Sequence, residues 1–265
     1  FLTLILKIHF PNIELPILFQ LYLPVSLAFH LKQDFLDVFQ LSNFQLGSLF
    51  SVYGIVALLS YIYGGVITDR YSPRKLMSSA LFLTSLGGLV LASYPSFLTL
   101  QILYGYWGFT SVFLFWGAMI KATRLWGGEN NQGKAFGLLD GGRGIVAASM
   151  GSIGVFIFSI ILTKDIESAS VFERQEAFSY VILFSSFMVA LIGLLVLIFL
   201  RNSDEKNSTA KLSFNSLINI KIILKNELIW LLMLIIMCAY VGYKVTDIYS
   251  LYASEIMLFD EIEVP

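Results

Sequence analysis

Long apolar runs separated by short polar segments dominate this chain. A helix needs about 20 mainly apolar residues to cross the hydrocarbon core of a bilayer. Seven stretches meet or nearly meet this length, so the pattern predicts an all-α polytopic membrane protein. In chain order, the predicted spans cover residues 4–29, 45–67, 76–95, 97–121, 135–163, 177–200 and 228–253.

One long polar connection divides the spans into unequal groups. Residues 201–227 are polar at first and then amphipathic, which is typical of a helix that lies along the membrane surface. The pattern predicts a six-helix bundle over 1–200 and a cytoplasmic linker over 201–227. Residues 228–265 are predicted to hold the seventh span and the start of a second bundle.

Composition supports the membrane class and narrows the function. The chain is 57% hydrophobic and 13% charged, whereas a soluble protein carries about 25% charged residues. The net charge of −1 gives no sign of a nucleic-acid partner. One cysteine and two histidines are too few soft ligands for a transition-metal site. We therefore expect no metal, no cofactor and no enzymatic chemistry.

The charges of the connecting segments predict the orientation. Eleven Lys and Arg residues follow spans two, four and six, whereas three follow spans one, three and five. Basic residues accumulate on the cytoplasmic side of a membrane. The amino terminus is therefore predicted to be cytoplasmic, in an inner or plasma membrane.

The stretch GGVITDRYSPRK, residues 64–75, ends the second span in a cluster of charges. Its order resembles the loop-two/three motif of the major facilitator superfamily, with Ser72 in place of the usual glycine. The resemblance implies that the cluster forms a latch, a charge network that stabilises the outward-facing state. A plain basic anchor and tight turn would explain the charges but not their order. The matching residues are Gly65, Asp69, Arg70, Arg74 and Lys75.

Residues 116–144 are similar to the helix-four/five region of the organic-anion and sugar-phosphate branches of that superfamily. The matching positions are Arg124, which joins the latch, together with Trp126 and Lys134. The resemblance implies alternating access between two six-helix bundles, with no covalent chemistry. Because that family usually has twelve helices, we expect this chain to be a partial one that covers helices one to seven.

The fifth span contains a charged pair beside a row of small residues. Asp140 and Arg143 are three residues apart and share one helix face. Three interpretations stay open: a mutually neutralised structural pair, a link to the loop-two/three charge network, or direct contact of Arg143 with substrate and of Asp140 with a coupling proton. The small residues recur at four-three spacing, which favours close approach of another helix. They include Gly137 and Gly141.

The seventh span repeats this arrangement, with Lys244 and Asp247 three residues apart and Tyr240 on the same side. Lys244 and Tyr240 are candidates for substrate binding and Asp247 for proton coupling. An aromatic belt with a snorkelling lysine is the alternative interpretation. In the fourth span, Gln101 and Tyr104 are candidates for substrate binding, and core packing explains them equally well. Tyr104 takes the place where the family often has an arginine.

The sequence thus predicts a secondary transporter for a small polar, anionic organic solute, driven by a proton or an exchanged anion. Its partners would be the solute, the coupling ion and membrane lipids. A nitrate/nitrite-type transporter and a drug/proton antiporter of the same superfamily are the alternatives. A membrane-embedded enzyme would need catalytic groups clustered at one depth. A seven-helix receptor would need an external amino terminus.

Overall fold

The structure, a computed structural model, describes residues 32–162, 169–200 and 225–244. Every long regular element in these ranges is a helix, which confirms the all-α prediction. Four of them, α2, α4, α5 and α6, are long and apolar enough to cross a membrane. The helices are α1 Lys32–Phe39, α2 Asn43–Arg70, α3 Pro73–Leu91, α4 Phe97–Gly127, α5 Gln132–Ile161, α6 Val171–Phe199 and α7 Glu227–Lys244.

Helices α2 to α7 correspond to predicted spans two to seven, with shifted ends. The predicted first span, most of the linker and residues 245–265 lie outside the described residues. α2 runs three residues past its predicted end, and α3 begins three residues early at Pro73. Proline suits the first position of a helix because the amide hydrogen that it lacks would have no partner there. Only Tyr71 and Ser72 therefore separate the two helices.

The short helix α1 was not predicted, because its eight residues are too few and too polar for a span. Its buried Phe35 packs edge-to-face on Phe178 of α6, with ring centroids 6.2 Å apart. Asp37 pairs with Arg174 near the start of α6, and the two charged atoms are 3.3 Å apart. α1 is thus attached to the bundle by both apolar and ionic contacts.

The start of α6 is fixed by local hydrogen bonds. Ser170 and Glu173 form a reciprocal capping box, which satisfies amides that the first helical turn leaves free. Tyr94, in the loop after α3, donates its hydroxyl hydrogen to the carbonyl oxygen of Gln175. Burial raises the pKa of Tyr94, so its hydroxyl stays a neutral donor over the physiological range. These bonds hold the loop after α3 against α6.

Close helix contacts in the bundle depend on glycine. A Cβ atom at Gly108 of α4 would lie 2.7 Å from the carbonyl oxygen of Tyr53 in α2. A Cβ atom at Gly88 of α3 would overlap the side chain of Ser186 in α6. The α2–α4 and α3–α6 contacts therefore bring backbones together at distances that a larger residue would prevent.

The fourth helix is wider in its middle, where Phe109–Trp116 form a π-helix. The hydroxyls of Thr110 and Ser111 donate to the carbonyl oxygen of Trp107, at the turn where the α-helical pattern gives way. Tyr53 of α2 lies 3.0 Å from Ser111, oxygen to oxygen. Side-chain hydroxyls of this kind satisfy backbone groups that an irregular membrane helix leaves free.

Helix α7 belongs to a separate compact unit and is described by itself. It is apolar along its length, with Glu227 in its first turn. Most of its described side chains are exposed, including Cys238 and Trp230.

Candidate functional site

An ion pair occupies the face of α5 that adjoins α4. Arg143 Nη1 lies 2.9 Å from Asp140 Oδ1, as the three-residue spacing predicted. The Arg143 side chain is 19% exposed and that of Asp140 is 69% exposed. The guanidinium carbon of Arg143 also lies 5.4 Å from the ring centroid of Trp116 in α4, within cation–π range.

The pair lies deep in the helix that carries it. Arg143 is eleven residues after the start of α5 at Gln132, or about 16 Å along the axis. That distance is roughly half of the hydrocarbon thickness of a bilayer. A charged group at such a depth is costly unless it is paired or hydrated. Here Arg143 has a carboxylate and an aromatic ring beside it.

The row of small residues on α5 is open. A Cβ atom at Gly137, Gly141 or Gly144 would meet no heavy atom within 4 Å in the described part of the chain. The helix that the spacing predicted to approach here is therefore not among the described elements. We call this row the α5 stripe.

A second open row, which was not predicted from the sequence, runs along α2. A Cβ atom at Gly47, Gly54 or Gly65 would likewise have no described heavy atom within 4 Å. Together with exposed residues that lie between them, the three glycines follow the alternating spacing of four and three residues that also defines the α5 stripe. Their spacings of seven and eleven residues, each close to a whole number of helical turns, were the signal that could have revealed the row. We call this row the α2 stripe; it contains Gly65, which was predicted to belong to the latch.

Lys121 of α4 caps the carboxyl end of α2. Its Nζ donates to the backbone carbonyl oxygens of Thr68 at 2.7 Å, Tyr71 at 3.4 Å and Asp69 at 3.5 Å. The last carbonyls of a helix carry partial negative charge, so a lysine there is favourable. From the sequence, Lys121 was counted only among the basic residues that follow the fourth span, with no contact assigned to it.

The predicted latch residues lie at this same end of the bundle. Asp69 and Arg70 occupy the last turn of α2, and Arg74 and Lys75 the first turn of α3. Arg74 is half-buried, and the other three side chains are exposed, as is Arg124 in the last turn of α4. Asp69 forms no ion pair with another described residue. The latch therefore stays a prediction.

The two candidates from the early part of α4 lie away from the ion pair. Tyr104 is fully buried, with its ring 5.6 Å from that of Phe50 and 5.5 Å from that of Trp107. Gln101 is half-buried. Along the α4 axis, Tyr104 lies about 18 Å from the level of Trp116. The structure thus does not bring these two candidates to Arg143, and the packing of Tyr104 is that of a core residue.

The remaining candidates belong to the seventh span. Lys244 is the last described residue of α7, and its side chain and that of Tyr240 are outside the described set, as is all of Asp247. Their assigned roles stay predictions. In the part of the chain that the structure describes, no group of His, Cys, Asp or Glu is suited to hold a metal ion.

Comparison with known proteins gives relatives of greater length. The chain is 28% identical to "Inner membrane protein YqcE" of Escherichia coli (strain K12) over 217 residues, which are 81% of this chain and 49% of that protein. It is 24% identical to "Inner membrane protein YihN" of the same organism, over 85% of this chain and 49% of that protein. A third relative is "Uncharacterized protein MG294 homolog" of Mycoplasma pneumoniae (strain ATCC 29342 / M129 / Subtype 1), at 27% identity over 74% of this chain and 44% of that protein.

The chain thus spans about half the length of the curated relatives that it matches. No solved structure matches it significantly. The family model described as Major Facilitator Superfamily matches residues 16–260, which is most of the chain. That match agrees with the helical architecture and with the motif between the second and third spans. This chain belongs to the Major Facilitator Superfamily of polytopic membrane transport proteins.

Proposed function

We propose that this chain forms part of a secondary active transporter that moves a small polar, anionic organic solute across the membrane by alternating access. A proton or an exchanged anion supplies the driving force. Membership of the superfamily supports the transport activity. The anionic class of the solute is supported by one observation, the position of Arg143.

Arg143 combines a fixed positive charge with a position deep in the span. Its planar guanidinium matches the geometry of a carboxylate or phosphate. Asp140 neutralises it while no solute is bound, and its 69% exposed carboxylate is accessible to exchange. In this proposal Lys244 and Tyr240 add to the solute site from the seventh span. Asp140 or Asp247 carries the coupling proton.

The open stripes support the proposal that a second bundle packs against the first. Glycine rows on transmembrane helices allow the backbones of two helices to come close, and the α2 and α5 stripes both lack a partner among the described residues. We assign these rows to contacts with a second six-helix bundle, which rocks against the first around a central site.

The inner end of the bundle carries the proposed gate. Lys121 joins the end of α2 to α4, and the basic residues around it favour the cytoplasmic side for this end by the positive-inside rule. We propose that Asp69 of the latch forms its ion pair in the outward-facing state, with Arg70, Arg74, Lys75 or Arg124 as partner. The amino terminus is then cytoplasmic.

Uptake into proteoliposomes tests the proposal. The complete protein that carries this sequence is reconstituted and offered radiolabelled glucuronate, sn-glycerol 3-phosphate and nitrate, with and without a proton gradient. We expect uptake of an organic anion. Arg143→Ala should reduce it at least about tenfold, because the loss of one charged hydrogen-bond partner costs about 1.5–3 kcal/mol. Arg143→Lys should retain part of it.

Arg174→Ala is the matched control, because it also removes the arginine of an ion pair, and the Arg174 side chain is comparably buried, at 20% exposure. Its uptake should stay near that of the native protein. If the protein takes up only nitrate, the proposed substrate is an inorganic anion and not an organic one. Organic-anion uptake that survives both Arg143→Ala and Lys244→Ala would contradict the proposed site.

A further inference from the structure

Arg143 is held from two sides by groups of different kinds. Asp140 contributes a charge from the same helix, and Trp116 contributes an uncharged ring from α4. We propose that Trp116 is a positioning residue, which keeps the Arg143 guanidinium in the site when Asp140 releases it to a bound anion. This inference rests on the proposed function of Arg143.

Asp140 is the exchangeable partner of the two. Its bond to Arg143 Nη1 occupies a donor that a bidentate carboxylate or phosphate would use. The carboxylate is largely exposed and separated from Arg143 by one helical turn. An incoming anion therefore competes with Asp140 for the same edge of the guanidinium.

Trp116 contacts Arg143 without using any of its donors. A cation over an aromatic ring is attracted to the face of the ring, so this contact itself occupies none of the N–H donors. The contact involves no carboxylate. It therefore persists when Asp140 leaves, and it prevents the long arginine side chain from turning toward water.

The fold places the indole at the depth of the guanidinium. Trp116 lies eleven residues before the end of α4 at Gly127, and Arg143 eleven residues after the start of α5 at Gln132. The short connection between these helices makes them antiparallel neighbours, so equal distances give equal depth. Trp116 is also half-buried and packs against a cluster of buried apolar residues that includes Phe115.

The π-helix supplies the orientation. Trp116 is the last residue of the wide segment Phe109–Trp116. A π-helix has more residues per turn than an α-helix, so it changes the direction of every side chain that follows it. The hydroxyls of Thr110 and Ser111 bond to the carbonyl of Trp107 where this segment begins. They thereby help to determine which face of α4 presents the indole.

The first test measures transport kinetics in proteoliposomes, with glucuronate or sn-glycerol 3-phosphate as the probe, whichever the native protein takes up. Trp116→Leu keeps the apolar character but removes the ring. We expect it to raise KM about three- to tenfold, with Vmax within about twofold, because loss of a cation–π contact and of side-chain order weakens binding by this range. Trp116→Phe restores a ring and should stay near the native KM.

A double variant tests whether the two contacts substitute for each other. Asp140→Asn alone removes the competing carboxylate and should not raise KM. In Trp116→Leu/Asp140→Asn, the ratio of KM to the native value should exceed the product of the ratios in the two single variants, because neither group then holds Arg143. Equal kinetics of Trp116→Leu and native protein would overturn the inference. So would a fall in Vmax at unchanged KM in both Trp116→Leu and Trp116→Phe. Native uptake by Arg143→Ala would instead overturn the proposed function.

A second test needs no transported solute. Phenylglyoxal modifies accessible arginines, and mass spectrometry of the detergent-solubilised protein gives the rate at Arg143. We expect Trp116→Leu to speed this labelling several-fold and Trp116→Phe to leave it near the native rate. Arg174 provides the internal reference, since its rate should not change. Equal labelling of Arg143 in all three proteins would overturn the inference.

Discussion

Helices α4 and α5 are neighbours in the chain, and both contain several glycines, yet the two use them in opposite ways. In the most apolar part of α4, 44% of the residues are buried, against 11% in α5. Gly108 of α4 has the backbone of α2 against it, whereas Gly141 of α5 has no atom of the described residues within 4 Å of its Cβ position. A glycine row thus shows that close approach is possible, but not whether the partner belongs to the same bundle.

The largest expected effect separates these two glycines. Gly108→Ala places a methyl group 2.7 Å from the carbonyl oxygen of Tyr53, so the α2–α4 contact must open. Overpacking of this kind costs about 1–3 kcal/mol. Thermal unfolding in detergent should show a Tm lower by several degrees. Gly141→Ala, the matched control, should unfold near the native temperature.

Equal Tm values for Gly108→Ala and Gly141→Ala would break the comparison. They would mean either that α2 moves away from α4 at little cost, or that α5 is covered by a segment outside the described residues.

The second prediction concerns a variant that should lose transport activity but keep its thermal stability. Gly141→Leu fills the α5 stripe, and we expect about a tenfold loss of uptake with a nearly unchanged Tm, because the second bundle can no longer approach. Proteoliposome uptake and thermal unfolding of the same preparation check this. Phe187→Leu on α6 is the control, since Phe187 is also exposed, at 63%, but lies on no glycine row. Loss of uptake in both variants would remove the special role of the stripe.

A smaller effect is expected where α4 meets α2. Lys121→Met keeps the length of the side chain and removes the donor that reaches Thr68. We expect a loss of about 1 kcal/mol in the free energy of unfolding, since a half-buried charge at a helix end contributes on this scale. Chemical unfolding should detect it. Lys75→Met, which removes an exposed lysine from the first turn of α3, should cost less.

The smallest effect tests the polar interior of α4. Tyr53→Phe removes the hydroxyl that lies 3.0 Å from Ser111 and leaves the ring in place. Single hydrogen bonds between membrane helices average about 0.6 kcal/mol. The Tm should therefore fall by no more than about 2 °C. A larger fall would show that the hydroxyl network, rather than glycine packing, fixes α4 in the bundle.

The sequence predicted well those helices whose position is determined by the length of an apolar run. Spans two to seven correspond to α2–α7 because the length of an apolar run directly reflects the thickness of the bilayer. Helix α1 was missed, since its burial depends on tertiary contacts with α6. The π-helix in α4 was also missed. It contacts α2 through the hydroxyls of Ser111 and Tyr53, and no period in one stretch of sequence shows such a contact.

The site was predictable only within a single helix. The Asp140–Arg143 pair follows from a spacing of three residues, and the structure has it at 2.9 Å. Trp116 and Lys121 were not found, because their contacts cross from α4 to α5 and to α2 and depend on how the helices are rotated. For the same reason sequence could not choose between cavity and core for Tyr104, which is fully buried.

The turn between α2 and α3 has a mechanical consequence. Two residues, Tyr71 and Ser72, leave no slack, because each extended residue spans at most about 3.6 Å. A tilt of α2 must therefore be transmitted to α3, and the Lys121 contact couples α4 to the same movement. We therefore expect the ends of these three helices at the turn to move together, so that a displacement of α2 there also displaces α3 and α4.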